Sequence, residues 1–250
     1  MNDAAAQVAD RLSGAKRVLF VTGAGLSADS GLPTYRGVGG LYEDEDATEE
    51  GMAIEEALSG PMLLARPDVA WRHIARIEKA CRGARPNRGH AVIAELERRF
   101  DVVVLTQNVD GFHAEAGSTK VIDIHGDVHR LKCTACSWKE TVRDYSHLEV
   151  PPQCPVCGQL VRPDVVLFEE MLPTRKLLLL EAELSAGFDV AFSVGTSALF
   201  AYIAAPMAHL RSQGAFTVEV NPGESAVSHV VELVVRERAA AFLDAVAHAL

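Results

Sequence analysis

The chain has 250 residues, 48% hydrophobic and 23% charged, which suits a folded α/β domain with a smaller insertion and excludes a disordered chain. A formal net charge of −10 argues against nucleic-acid binding, whose affinity comes from Lys and Arg on phosphates, and is compatible with recruiting basic, lysine-bearing segments. The N-terminus lacks a basic start followed by an apolar run, so a soluble, cytoplasmic protein without a signal peptide is expected.

The first strong element is Arg17–Thr22, a short apolar run with the look of a buried parallel strand. Gly23, Gly25 and Ala28 follow with G-x-G-x-x-G/A spacing. That spacing predicts a tight turn, close backbone approach to a pyrophosphate and N–H groups aimed at the anion. A dehydrogenase would continue into a long crossover helix. Here Ser30-Gly31-Leu32-Pro33 stops the helix within about two turns, because Gly is a poor helix former and Pro removes a donor. The expectation is a dinucleotide site that does not serve ordinary hydride transfer. Residues 38–85 contain no convincing strand and read as a loop followed by helices. The acidic run from Glu43 to Glu50 reads as a solvated loop rather than a set of catalytic carboxylates, with a lid near the nucleotide as the alternative.

Further strands are predicted at Val102–Thr106, Val121–Ile124, Val165–Phe168, Val190–Val194, Phe216–Val220 and Val231–Val235. Helical patterns at Gly89–Arg99, Thr174–Ala186, Ala198–Ser212 and Ala239–Leu250 lie among them, so a doubly wound parallel sheet follows. The window Val190 to Ala208 carries no charge and approaches the length of a membrane span. Gly195 and Pro206 interrupt it, which favours strand, loop and helix in a soluble core, with no membrane partner. Several strand ends carry small polar residues. Thr106-Gln107-Asn108-Val109-Asp110 suits contacts to ribose or a carboxamide, or equally the capping of a following helix. His125, beside Gly126 at the next strand end, suits proton transfer near neutral pH; the other histidines have no such position. Gly195-Thr196-Ser197 and Asn221-Pro-Gly223 each read alone as a turn. Taken together the strand ends make a nucleotide cleft.

Cys133-x-x-Cys136 and Cys154-x-x-Cys157, with 17 residues between the pairs, match a four-thiolate zinc ribbon. Four thiolates complete the tetrahedron, so the expected Zn2+ is structural. Disulfides are the alternative, disfavoured without an export signal. Cys81 is left over as a small buried or half-buried residue.

The order of these motifs, with Pro86-Asn87, His90 and Arg162–Phe168, resembles the sirtuin family of NAD-dependent protein lysine deacylases from about residue 15 to the C-terminus. The resemblance implies a Rossmann-like large domain of about residues 1–37, 86–127 and 164–250. A small domain would combine a helical module of about 38–85 with a zinc module of about 128–163. It further implies that Ala24, Ser27, Pro33, Tyr35 and Arg36 line the NAD pocket and its loop. Gln107, Asn108 and Asp110 would hold the nicotinamide ribose and carboxamide region, and Gly195, Thr196, Ser197 and Asn221 would reach the adenosine half. Ala239 would touch the adenine. Val165, Val166 and Phe168 would pair with an acyl-lysine peptide by β-augmentation. His125 matches the general base. In the implied reaction the acyl oxygen attacks C1′ of the nicotinamide ribose and nicotinamide leaves. A ribose hydroxyl deprotonated by His125 then attacks the imidate carbon, and hydrolysis of that adduct by water yields free lysine and O-acyl-ADP-ribose.

Two departures bear on specificity. Glu169-Glu170 stands where the family commonly has Gly-Glu. Trp71 with Arg72 or Arg76 does not reproduce the Tyr-x-x-Arg pair of sirtuins that take acidic acyl groups, so deacetylation is expected. NAD-dependent ADP-ribosyl transfer to protein, and a non-catalytic NAD-sensing module, are the rival functions. The oligomeric state is not legible.

Overall fold

The computed structural model describes residues 3–34 and 51–250. Nine strands are found among them: β1 (Arg17–Thr22), β2 (Asp101–Thr106), β3 (Val121–Asp123), β4 (Gly126–Cys133), β5 (Lys139–Thr141), β6 (Val161–Val165), β7 (Val190–Val194), β8 (Phe216–Val220) and β9 (Leu233–Val235). Six of them form one parallel sheet in the order β3-β2-β1-β7-β8-β9. The β-branched and aromatic runs of the four central strands, β1, β2, β7 and β8, are buried on both faces, as helix-covered parallel strands require.

Alternate residues feed two cores. Val18, Phe20, Val102, Val104, Phe192 and Val218 face one side, where helices Asp3–Ser13, Arg88–Leu96 and Ala239–Ala249 supply Leu12, Ile93 and Phe242. Phe20 and Phe192 stack across the β1–β7 pair at 4.6 Å. Leu19, Val21, Val103 and Leu105 face the other side, against Leu180 of helix Thr174–Ser185 and Ile203, Met207 and Leu210 of helix Ala201–Ser212. The chain turns from one wing of the sheet to the other between β1 and β7, a topological switch point.

A second sheet, β5-β4-β6, is antiparallel. It shares a third core with helices Gly60–Ala65 and Pro67–Cys81: Leu63, Ala70, Trp71 and Ile74 pack with Leu131, Tyr145, Val161 and Leu167. Trp71 is fully buried and its indole N–H donates to the Val161 carbonyl at 2.9 Å. The helical and cysteine-bearing stretches therefore pack together beside the main sheet.

The structure corrects the predicted strand Val165–Phe168. The strand is Val161–Val165, and it pairs antiparallel with β4 in the small sheet. Beyond it the Val166 N–H donates to the His125 carbonyl at 2.8 Å and the Phe168 N–H to the Leu58 carbonyl at 3.0 Å. The last strand is shorter than predicted, and the helix after β7 starts at Ala201 rather than Ala198. The uncharged window Val190 to Ala208 divides into β7, a turn and the start of that helix, and no described helix is long and apolar enough to cross a membrane.

Candidate functional site

The carboxyl ends of β1, β2, β7 and β8 meet at the switch point. Gly23 donates its N–H to the Val194 carbonyl at 3.1 Å, Gly25 to Gly195 at 2.8 Å, and Gly195 to Val220 at 2.9 Å. A Cβ on Gly25 would lie 2.7 Å from Gly195 Cα, and one on Gly195, whose φ is +58°, would lie 2.3 Å from the Leu26 nitrogen. The glycines of the two strand-end turns are thus required by the contact of one turn with the other. After them the chain forms one short helix, Ala24–Ser27, a 3-10 turn at Ala28–Ser30, and a left-handed Gly31, so the helix ends early as predicted.

Behind the turns lies a polar cluster. The Ser27 hydroxyl donates to Asp110 at 2.7 Å, and Asn108 Nδ2 donates to Ser27 Oγ at 3.0 Å and to the Gly23 carbonyl at 3.1 Å. Asp110 also accepts the Phe112 N–H at 3.0 Å at the start of helix Phe112–Glu115. Ser27, Asn108 and Asp110 are all buried. Burial pushes the Asp110 carboxyl above its usual range, against the lowering effect of the Phe112 N–H and the Ser27 hydroxyl. Of the two readings of Asn108 and Asp110, capping accounts for one oxygen of Asp110, while the Asn108 amide ties the β2 end to the β1 turn.

Gln107 Nε2 donates to Thr196 Oγ1 at 2.8 Å, and Asn221 Nδ2 donates to the Thr196 carbonyl at 3.1 Å. Gln107, Thr196 and Asn221, from three strand ends, thereby share one rim with exposed Ser197. Ala24 and Pro33 are half-buried near the β1 turn, and Ala239 is buried in the apolar core at the start of the last helix. Tyr35, Arg36 and the acidic run 43–50 lie outside the described residues.

His125 sits where the chain leaves the main sheet for β4. The Ile124 N–H pairs with the Thr106 carbonyl at 3.0 Å, and the next residue but one, Gly126, has φ +92°. The His125 Nδ1–H donates to the Gln107 carbonyl at 3.1 Å, which leaves the Nε2 lone pair as acceptor. Tyr202 O–H fills that position at 2.6 Å. Phe200 stacks on Tyr202 and meets His125 edge-on. Burial holds the imidazole below its ordinary pKa; the Gln107 carbonyl opposes this and the Lys176 charge adds to it. A neutral imidazole whose Nε2 already accepts from a hydroxyl is equipped to take a proton from one. Tyr202 escaped the sequence reading because it belongs to a helix that periodicity alone describes as core. The only cue is its place five residues after Ser197.

The chain beyond β6 runs past His125. Arg162 pairs with Glu170 at 2.5 Å, and Glu170 also accepts the Leu167 N–H at 2.9 Å, folding this segment on itself. Glu169 is exposed with φ +64°, and Ala198, after the Gly195–Ser197 turn, has φ +51°. Left-handed backbone on non-glycine residues costs energy and tends to gather at working sites. Val165, Val166 and Phe168 are half-buried along the same segment.

The sulfurs of Cys133, Cys136, Cys154 and Cys157 all lie within 4.8 Å of one another, with Cys133–Cys157 at 3.5 Å and Cys136–Cys154 at 3.6 Å. A zinc tetrahedron with arms of about 2.3 Å has sulfur edges near 3.8 Å, whereas a disulfide needs about 2.05 Å. The four thiols fit a structural Zn2+ and do not fit disulfides. The helix Pro67–Cys81 keeps Trp71 in the core and turns Arg72 and Arg76 outward, beside a cavity of about 370 Å3 that Asp68, Lys79 and Val150 also line. Burial pushes the Cys81 thiol up to about 11, so it is unreactive at neutral pH.

A family model described as the Sir2 family matches residues 23–201. NAD-dependent protein deacylase 2 of Pseudomonas aeruginosa is 50% identical over 238 residues, 94% of this chain and 92% of that protein. Among solved structures, a Sir2 homologue–NAD complex is similar with a TM-score of 0.85 at 30% identity, covering 97% of this chain and 93% of the other. A Sir2–p53 peptide–NAD+ complex is similar with a TM-score of 0.83 at 28% identity, covering 97% and 96%.

Proposed function

The chain belongs to the Sir2 family, and from that premise we propose that it is an NAD-dependent protein lysine deacylase acting on acyl-lysine segments. The observation that carries the reading is the coincidence, at one switch point, of a glycine-built strand-end cleft and a histidine whose Nδ1–H is tied down so that Nε2 carries the acceptor lone pair. NAD supplies the ribose carbon that receives the acyl oxygen when nicotinamide departs, which makes the reaction a transfer to ADP-ribose.

The chain's own residues have separable tasks in this proposal. Gly23, Ala24, Gly25 and Ser27 form the wall against the dinucleotide with Pro33, and the family's pattern assigns Tyr35 and Arg36 to the same pocket. Gln107, Asn108 and Asp110 face the nicotinamide ribose end, and Gly195, Thr196, Ser197, Asn221 and Ala239 face the adenosine half. His125 Nε2 takes the proton of a ribose hydroxyl, oriented by its Nδ1–H on the Gln107 carbonyl. Val165, Val166 and Phe168 border the substrate peptide. Glu169 adds a negative charge beside that border at a strained position, which supports a preference for basic peptides. The division into a large part and a helical-plus-zinc part, with the limits read from the sequence, leaves both the dinucleotide wall and the peptide border in the large part, the border next to the zinc module. A cytoplasmic location agrees with four free thiols arranged for zinc.

The test is a panel of acetyl-, succinyl- and longer acyl-lysine peptides assayed for NAD-dependent nicotinamide release, with acetyl-lysine expected to be turned over. His125→Ala should lower turnover by roughly 10²- to 10⁴-fold while NAD binding, followed by calorimetry, stays near wild type. Wild-type turnover in that variant would overturn the role of His125. Labelled NAD separates the rival reaction: label on protein favours ADP-ribosyl transfer, and label in soluble O-acyl-ADP-ribose favours deacylation.

A further inference from the structure

Both ring nitrogens of His125 are engaged by groups of the protein itself. Nδ1 donates to the Gln107 carbonyl, so Nε2 is an acceptor, and the group that fills it is the Tyr202 hydroxyl at 2.6 Å. This is the geometry that a substrate hydroxyl needs in order to pass its proton to the base. Tyr202 is held there by its helix, Ala201–Ser212, and by the Phe200 ring, whose centroid lies 5.4 Å away at an angle of 15°. Phe200 is itself partly exposed, as is Leu199, so the aromatic pair stands at the mouth of the site rather than in the core. We infer that Tyr202 is a positioning residue of the reaction, whose hydroxyl keeps the His125 imidazole in its base tautomer and yields its place to a hydroxyl of the bound substrate.

The inference rests on the reading of His125 as the base, and it adds a competitor for the same lone pair. Among the described residues, three groups act on the imidazole: the Gln107 carbonyl from the end of β2, the Tyr202 hydroxyl from helix Ala201–Ser212, and the Lys176 ammonium from helix Thr174–Ser185. Lys176 is itself paired with Asp123 at 2.8 Å. Burial pushes the Tyr202 phenol up to about 12, so it remains a donor at neutral pH. A donor on Nε2 favours the neutral imidazole and disfavours its protonation. Tyr202 therefore has two effects that oppose each other. It keeps the base unprotonated at mildly acidic pH, and it must be displaced before the base can work.

Tyr202→Phe keeps the ring and removes only the donor. The acidic limb of kcat/KM for NAD is expected to move up by about half a unit to one unit, the equivalent of one net hydrogen bond. KM for NAD is expected to fall by about two- to tenfold with kcat within about twofold of wild type, because the bound state has lost nothing. A pH titration of the His125 imidazole by NMR in the ligand-free protein should show the same upward shift without any turnover. An unmoved imidazole pKa and acidic limb would overturn the inference, as would a fall in kcat at unchanged KM. His125→Ala measured alongside keeps the two ideas apart. If that variant turns over normally, the base assignment fails; if it is inactive and Tyr202→Phe moves neither readout, only the role of Tyr202 fails.

Discussion

The six-stranded sheet and the cysteine-bearing sheet are held together by different physics. In the first, β1, β7 and β8 are buried on both faces and the two cores share no element with a metal site. In the second, β5 is exposed along its length and two of the four zinc-site cysteines are themselves part of the core around Trp71. Burial of apolar surface at about 25 cal/mol per Å2 sustains a long sheet, but short strands need a cross-link. His125 stands on the border, fixed by the main sheet through Ile124 and by the small one through Gly126 and Val166. The difference predicts that the cysteine-bearing sheet depends on its metal while the parallel sheet does not.

The largest expected effect comes from taking the metal away. Structural zinc in small ribbons contributes on the order of 10 kcal/mol of folding free energy, so chelation, or Cys154→Ser, should unfold the small sheet. Both tryptophans, Trp71 and Trp138, lie in or against the core of that sheet, which makes fluorescence a local reporter. Fluorescence should shift to the red and turnover should be lost, while most far-UV circular dichroism remains. Concerted loss of both signals would show that the two regions fold as one.

Gly126→Ala attacks the border itself. Its φ is +92°, and an added Cβ would meet the Asp164 carbonyl oxygen at 1.9 Å, so β4 and β6 could not stay paired there. A loss of about 4 kcal/mol is expected in urea unfolding, with turnover falling along with it as the backbone under His125 moves. A stable, fully active variant would mean that the border is softer than its geometry.

The same contrast explains what could be read from the sequence. The parallel strands were legible because doubly covered strands are uninterrupted runs such as Val102–Leu105, and the zinc site because thiol spacing encodes geometry. The N-terminal helix Asp3–Ser13 has a helical pattern in Ala5, Val8, Ala9 and Leu12, at i, i+3, i+4 and i+7, but two of the four are alanines, which mark a buried face only weakly. β4 was hidden by physics: its register shifts between Asp127 and Leu131, so Val128 and Leu131 are both buried and the alternation of a strand breaks. The run Val165–Phe168 looked like a sheet strand because apolarity does not say which neighbour takes the backbone bonds. At the site, Gln107, Asn108 and Asp110 were visible by their place after β2. Their mutual bonds with Ser27 and Thr196 were not, since those join strands that are 80 or more residues apart.

The smallest effect separates the regions by pH. His90 and His113 are buried beneath the rim of the main sheet, with ring centroids 5.0 Å apart. Burial lowers their pKa values to about 4 and about 3. The unfolded chain takes up these protons near pH 6.5 while the folded chain does not. Stability is therefore fully present above pH 6.5 and is lost as pH falls toward the folded values, by about 2 kcal/mol per histidine at pH 5. Zinc release in acid complicates the wild type, but a variant that changes one histidine cancels it. His90 Nδ1 accepts the Asn87 N–H at 3.3 Å, closing a capping box at the start of helix Arg88–Leu96. Glutamine at that position reaches back to the same N–H without titrating. His90→Gln should thus match wild type within about 1 kcal/mol at pH 7.5 and exceed it by about 2 kcal/mol at pH 5, in urea unfolding followed by circular dichroism. An equal acid loss in both proteins would remove His90 as a source of the pH sensitivity.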